Sequence, residues 1–264
     1  MSCQLDPSEV VFLSRNLTEA AKERIPVAPI TERYAGATVD DAYSIQLEQL
    51  ETRLTAGARL VGHKIGLTSS AMQAQLGIDS PDYGFLMDDM VWNSKEIVPT
   101  SRFIQPRIEP EVALILGRDL SDPMVSAADV ARSIRAIAPA IEIIDSRIEN
   151  WRIRLVDTIA DNASSAGVVL GSLLPWSGVP DLRTVQCSFE VNGAVVGTGV
   201  GAAVMGDPLE AVAWLARLLI SRGRCIREGE IVIPGALTAA VTVAAGDVGQ
   251  ASFADVGTVT VVFE

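Results

Sequence analysis

Residues 108–116 read Ile108-Glu109-Pro110-Glu111-Val112-Ala113-Leu114-Ile115-Leu116, and fold and chemistry meet in this stretch. Its second half is an apolar run without polar alternation, the pattern of a buried strand. Its first half sets two glutamates two residues apart. On a strand such residues share a face, about 7 Å apart along the chain. Side by side at the mouth of a buried strand, two carboxylates repel each other and need protonation, a cation or solvent. Glu-x-Glu alone is a weak pattern, and a solvated strand end accounts for it too.

Downstream, Ser126 is expected to cap a helix running to about Ala138. Pro139-Ala140-Ile141-Glu142-Ile143-Ile144-Asp145 then reads as another strand. Glu142 is the one carboxylate inside its apolar part. Buried unpaired, it would cost several kcal/mol; on an edge strand it would simply face water. If it converges with Glu109 and Glu111, the three form an oxygen-rich site for a hard divalent cation. No His or Cys has a suitable spacing, which favours Mg2+ or Mn2+ over zinc. Further on, Val168-Val169-Leu170 continues the strand character and Asn192-Gly193 signals a type I′ hairpin. Asp207-Pro208 opens the clearest helix, ended by Gly223. The tail is short Val- and Thr-rich strands.

Upstream, the first sixty residues read as helical. Ser8 is expected to cap one helix, and Thr38, with Asp41 three residues later, a second. Residues 60–67, Leu60-Val61-Gly62-His63-Lys64-Ile65-Gly66-Leu67, look like a short buried strand. Thr68 or Ser69 can cap a short helix ending at Gly77, and Ser80-Pro81-Asp82-Tyr83-Gly84 has the chemistry of a turn. A Lys inside an apolar strand needs an anionic partner, unless its stem snorkels to the surface. His63, the only histidine, would face the opposite side from Lys64 and is given no catalytic role. Gly197-Thr198-Gly199-Val200-Gly201-Ala202 fits G-x-G-x-x-A. It follows a hairpin rather than the first strand of a βαβ unit, so a dinucleotide site is rejected. The fold class expected is α+β: an N-terminal α/β part over residues 1–80 and a β-rich metal-binding domain over 81–264.

Lys plus Arg number 21 and Asp plus Glu 33 in 264 residues, a net charge of −12. That balance argues against nucleic-acid and anionic-membrane partners, which require basic patches. Cys3, Cys187 and Cys225 are odd in number and widely spaced, suggesting neither a disulfide framework nor a zinc site. Asp6, Glu9 and Arg15 interrupt any apolar signal core, and residues 200–220 are broken by Asp207, Pro208, Glu210 and Arg217. A cytoplasmic protein is expected.

Six ordered blocks resemble the 2-keto-4-pentenoate hydratase family of the fumarylacetoacetate hydrolase superfamily. They are residues 62–69, 81–84, 107–111, 139–147, 157–165 and 211–216, which together run over nearly the whole chain. The resemblance implies a β-rich fold around a carboxylate-bound Mg2+ or Mn2+, with Glu109, Glu111 and Glu142 as ligands. It implies addition of water to 2-hydroxypenta-2,4-dienoate or a close 2-hydroxy-dienoate, giving a 4-hydroxy-2-oxo acid in meta-cleavage catabolism. Lys64 and Asp82 match positions near the substrate and are the candidate catalytic residues. Leu67, Ser164, Gly235, Leu237 and Thr238 are expected to line the substrate pocket. Ala236 stands where Ser is common, which removes one hydrogen bond to substrate. A homo-oligomer, and association with another enzyme of the pathway, are expected from the same resemblance. The neighbouring activities are 4-oxalocrotonate-type decarboxylation and diacid hydration. A catalytically silent scaffold subunit is the alternative of another class.

Overall fold

Ile108 and Glu109 point to opposite faces of one strand, and the molecule is organised around that difference. The computed structural model describes residues 5–69, 73, 80–177 and 181–264. Strand β5 (Arg107–Leu116) pairs antiparallel with β6 (Ile134–Ile144), in a register that sets Glu109 opposite Glu142 and Ile108 opposite Ile143. Around this pair runs a mixed sheet ordered β2-β1-β11-β5-β6-β7-β3, built from β1 (Leu60–Gly66), β2 (Asp82–Met87), β3 (Val91–Asn93), β7 (Ser165–Leu170) and β11 (Ile231–Ile233). Short strands β8 (Leu174–Pro175) and β12 (Val241–Thr242) join β6 and β5 off this path.

A second sheet, ordered β10-β9-β13-β14-β4, contains β4 (Ile97–Val98), β9 (Gln186–Val191), β10 (Ala194–Val200), β13 (Val248–Phe253) and β14 (Gly257–Phe263). It packs on β6 and β7 through β13 and β14. The Ile108 face looks toward it: a Cβ added at Gly249 would sit 2.6 Å from Ile108 Cδ1. Ile108, Ile141 and Ile143 are fully buried. The opposite face of the same two strands carries the glutamates.

Pro110 and Pro139 lie inside these long strands although neither can donate to a ladder. Each sits in a gap between neighbours. On its outer side β5 pairs with β12 at residues 107–108 and with β11 at 114–115, leaving Pro110 between them. Its carbonyl accepts from Leu237 N–H instead, at 3.0 Å. Pro139 lies likewise between β8 and β7, and its carbonyl accepts from Gly171 N–H.

Helices flank the sheets: α1 (Pro7–Glu23), α2 (Ile30–Arg33), α3 (Val39–Thr55), α4 (Ala127–Ser133), α5 (Leu155–Ala160) and α6 (Pro208–Ser221). Thr38 and Asp41 form a capping box on α3, and Asp207 caps α6, as expected. Asn192 and Gly193 take positive φ in the β9–β10 hairpin. Three expectations change. The cap of α1 is Asp6 rather than Ser8: its carboxylate accepts from Ser8 and Glu9 N–H, and Pro7 fills the first turn. The helix capped by Ser126 stops at Ser133, because Ile134 and Ile137 pair with Leu116 and Leu114 of β5. The 80–84 segment is not a turn beyond Pro81: Asp82, Tyr83 and Gly84 pair with Gly66, Ile65 and Lys64. The division expected at residue 80 therefore falls between two strands of one hairpin. The helix expected to end at Gly77 lies outside the described residues. The Gly197-to-Ala202 stretch is strand β10 and its exit, consistent with the rejection of a dinucleotide loop.

Candidate active site

The register alone brings Glu109, Glu111 and Glu142 to one face, and their carboxylate oxygens lie within 4.8 Å of one another. Among the described residues no other group of three His, Cys, Asp or Glu converges this way. Glu111 and Glu142 are fully buried, so water does not screen Glu142 as it would on an edge strand. Glu109 is half-buried and borders a cavity of about 370 Å³.

Lys64 joins them from β1. Strand β11 ends at Ile233, level with Lys64, and the chain leaves the sheet as Pro234-Gly235. Lys64 Nζ lies 3.6 Å from Glu142 Oε1, and its side chain is buried rather than snorkelled. Gly235, at φ +135, donates its N–H to Glu111 Oε2 at 2.8 Å. Few side chains tolerate that backbone conformation, and a Cβ there would strike Thr68 Oγ1 at 2.2 Å. Asp82 starts β2 opposite Gly66 and is buried. Thr158 Oγ1 donates to Asp82 Oδ2 at 3.4 Å and lies 3.4 Å from Ser164 Oγ. His63 faces away, 3.3 Å from Glu230, and takes no part in this cluster.

Charge is compressed here. Burial pushes Glu142 up to about 8 against the pull of Lys64, with Glu109 and Asp82 adding to the rise. Glu111 is raised well above the ordinary value, by burial first and then by Glu142 and Glu109. Burial raises Asp82 as well, against Lys64 and the Thr158 hydrogen bond. Burial opposes the Lys64 charge, but Glu142, Asp82, Glu109 and Glu111 outweigh it and raise its pKa. Asp82 Oδ1, Glu111 Oε1 and both oxygens of Glu142 are buried with no hydrogen-bond partner among the described residues. Buried polar atoms are nearly always partnered. Three orphaned oxygens on Glu111 and Glu142, with the Glu109 carboxylate beside them, are the kind of donor set a hard divalent cation requires.

The cavity beside this cluster is lined by Lys64, Asp82 and Glu109 on its charged side, and Leu67, Ser164, Leu237 and Thr238 also border it. Gly235 contributes from behind, through Glu111. The cavity's apolar lining includes Ile65, Ile144, Trp151 and Ile153, which were not singled out from sequence. Thr158 was not either. As ordinary apolar or hydroxyl side chains they carry no spacing signal. The backbone around the cavity is strained. Leu67 and Trp151 have φ of 56 and 54, and Asn162, Ala163 and Ser164 are left-handed in succession. Such conformations cost about 1–2 kcal/mol per residue and persist only where surroundings enforce them. At the 162–164 turn, buried Arg147 ties both ends: its backbone N–H and Nε meet the Asp161 carboxylate and its Nη1 donates to the Ser165 carbonyl.

The family described as fumarylacetoacetate (FAA) hydrolase C-terminal matches residues 65–264. A 2-keto-4-pentenoate hydratase of Paraburkholderia xenovorans is 41% identical over 260 residues, covering 98% of this chain and 97% of the relative. A TodF product hydratase of Pseudomonas putida is 45% identical over 247 residues, 94% of this chain and 92% of the relative. Among solved structures, 4-oxalocrotonate decarboxylase from Pseudomonas putida G7, complexed with magnesium and adipate, superposes with a TM-score of 0.96 at 36% identity, covering all of both chains. The chain belongs to the fumarylacetoacetate hydrolase family, within its 2-keto-4-pentenoate hydratase group, and is an enzyme of that hydro-lyase type.

Proposed function

We propose that the chain adds water to 2-hydroxypenta-2,4-dienoate, or a close 2-hydroxy-dienoate, to give a 4-hydroxy-2-oxo acid. One observation carries the assignment of the centre: three glutamates, two of them fully buried with orphaned oxygens, converge beside Lys64 and Asp82. Glu109, Glu111 and Glu142 would hold one Mg2+ or Mn2+, and the magnesium bound in the 4-oxalocrotonate decarboxylase complex supports a divalent ion of this kind. When bound, that ion supplies Lewis acidity toward the carboxylate and 2-oxygen of the substrate.

The chain's own residues do the rest. Lys64, fixed among four carboxylates, attracts the anionic end of the substrate and offsets charge developing on the 2-oxygen. Asp82, raised by burial, keeps a proton to higher pH than an ordinary carboxyl. It serves as general acid in protonating the far carbon of the dienol while the 2-hydroxyl releases its proton, and as general base toward the water that adds at carbon 4. The proton released from the 2-hydroxyl is matched by the one carbon 3 takes up as the enolate returns to the ketone. Net, one water enters and no other atom leaves. Ser164, with Thr158 behind it, offers a hydroxyl to substrate, and Leu67, Leu237 and Thr238 shape the pocket around it. The low-dielectric wall of Ile65, Ile144, Trp151 and Ile153 excludes bulk water from the reacting carbons.

The decarboxylase reading has a specific support in the likeness to 4-oxalocrotonate decarboxylase. Against it, Lys64 is the one cation among the described lining residues and is already held by carboxylates. The tail of the substrate meets apolar side chains, which suits a mono-acid better than a diacid. Supplying the mono-acid dienol and 4-oxalocrotonate in parallel decides between them. Hydration of the first without carbon dioxide release from the second is expected; fast carbon dioxide release with no hydration overturns the proposal. We read the protein as a cytoplasmic homo-oligomer. No helix among the described residues is long and apolar enough to cross a membrane.

A further inference from the structure

A larger cavity, of about 600 Å³, lies on the other side of β2 and shares no lining residue with the catalytic one. Its floor is apolar: Leu17, Leu50, Phe85 and Met87, all buried. Its rim carries Lys22, Arg24, Arg53 and Arg102 against Asp89. The rim is cationic although the chain carries a net charge of −12, and Asp145 and Arg147 lie together in the wall below it. Asp89 is shared by Arg53 and Arg102 and Lys22 pairs with Glu23 at 3.5 Å, while Arg24 has no ion-pair partner among the described residues. Two buried polar atoms on the cavity wall also lack partners, Gln46 Oε1 and Ser165 Oγ, in residues 1% and 3% exposed. An apolar floor beneath an unpaired Arg24 on a cationic rim describes a ligand with an apolar body and an anionic head.

The wall between the two cavities is thin and shared. Asp82 faces the catalytic cavity, whereas Phe85 and Met87 of the same strand face the second. In the left-handed turn, Ala163 and Ser164 border the catalytic cavity, whereas Asn162 and Ser165 border the second. Asn162 clamps turn to strand: its Oδ1 accepts from Phe85 N–H at 2.7 Å and its Nδ2 donates to Phe85 O at 3.0 Å. Gly84 allows this approach, since a Cβ there would lie 2.3 Å from Asn162 O. A ligand pressing on Phe85 and Ser165 therefore acts on the backbone that carries Asp82 and Ser164.

We propose a second ligand site in this cavity, for an amphipathic carboxylate, whose occupancy alters substrate binding through β2 and the 161–165 turn. The binding half is independent of the function proposed above; the coupling half rests on it. The test uses the full-length Mg2+-loaded protein with excess oxalate to fill the catalytic centre, and 4-phenylbutyrate as probe in calorimetric titration. Saturable binding of one probe per chain is expected, weakened about tenfold or more by Arg24→Glu, by the cavity-blocking Thr18→Trp, and by replacing the probe with its neutral amide. No binding, or binding that both variants leave unchanged, overturns the site. In turnover of the mono-acid dienol, the probe is expected to change KM about fivefold in the wild type and not in Arg24→Glu. Binding without any change in KM overturns the coupling. Absence of turnover in unliganded protein would instead count against the proposed function and leave the titration to decide the site.

Discussion

Glu111 concentrates the cost and the use of the site. Its carboxylate is fully buried, accepts one hydrogen bond from Gly235 and faces Glu142 and Glu109. A carboxyl whose folded pKa is raised contributes stability below its unfolded pKa, and loses that contribution as pH rises through the folded value. For Glu142 that window runs from 4.5 to about 8. Metal-free protein should therefore lose thermal stability as pH rises across this interval, and added Mn2+ should restore it most at the alkaline end. Scanning fluorimetry of the chelated and reloaded protein reads both. Glu111→Gln keeps an acceptor for Gly235 and removes one buried charge. Metal-free Glu111→Gln should melt a few degrees above metal-free wild type at pH 8, about 1–3 kcal/mol more stable, and should no longer bind Mn2+. At Asp82 the expectation differs, because it is proposed to move protons rather than hold the ion. Asp82→Asn should retain Mn2+ affinity while kcat falls about 10²–10⁴-fold. A parallel loss of metal binding would make Asp82 a ligand instead.

At the scale of elements, the left-handed turn at residues 162–164 holds the site's stored strain. Ala163 has φ 50 and is buried. Ala163→Gly should be neutral or stabilising by about 1 kcal/mol, whereas Ala163→Val should destabilise by about 2 kcal/mol or more, because a β-branched side chain fits this region poorly. Denaturant melts compare them. Arg147→Ala should be the harsher change, about 3–5 kcal/mol, since it leaves Asp161 buried and uncompensated. None of this strain was legible in the sequence: Asn162, Ala163 and Ser164 are not glycines, and their conformation is held by contacts from distant segments, among them Arg147 to Asp161, Phe85 to Asn162 and Asp145 N–H to the Ser164 carbonyl. The helix caps Thr38 and Asp207 were legible because the chemistry is local. The convergence of the three glutamates was partly so: i,i+2 spacing implies a shared face for Glu109 and Glu111, but the pairing of Glu109 with Glu142 is a register between distant segments. The end of α4 at Ser133 was not legible for the same reason, since Ile134 is claimed by β5 across the sheet rather than by its neighbours in sequence.

At the scale of the whole molecule, the two sheets are finished differently. The large sheet covers its functional face, whereas the small sheet ends in β10, an edge strand with Val195 60%, Val196 43% and Val200 39% exposed. Soluble monomers protect long apolar edges with charge, proline or a covering element, because the free N–H and C=O groups there invite pairing. Strand β10 carries no charged residue and no proline over Ala194–Val200. The net charge of −12 opposes association at long range, so an interface on this edge must gain its stability from apolar burial at contact. An assembly held this way should persist in high salt, which screens the mutual repulsion of the acidic protomers, rather than dissociate as a charge-mediated complex would. Val195→Lys places a charge on the most exposed apolar position of the edge and touches none of the residues proposed for catalysis. In sedimentation velocity, wild-type protein should run as an oligomer at both low and high salt, and Val195→Lys should shift to a smaller species while still binding one Mn2+ per chain. An unchanged sedimentation coefficient in the variant would move the interface away from β10.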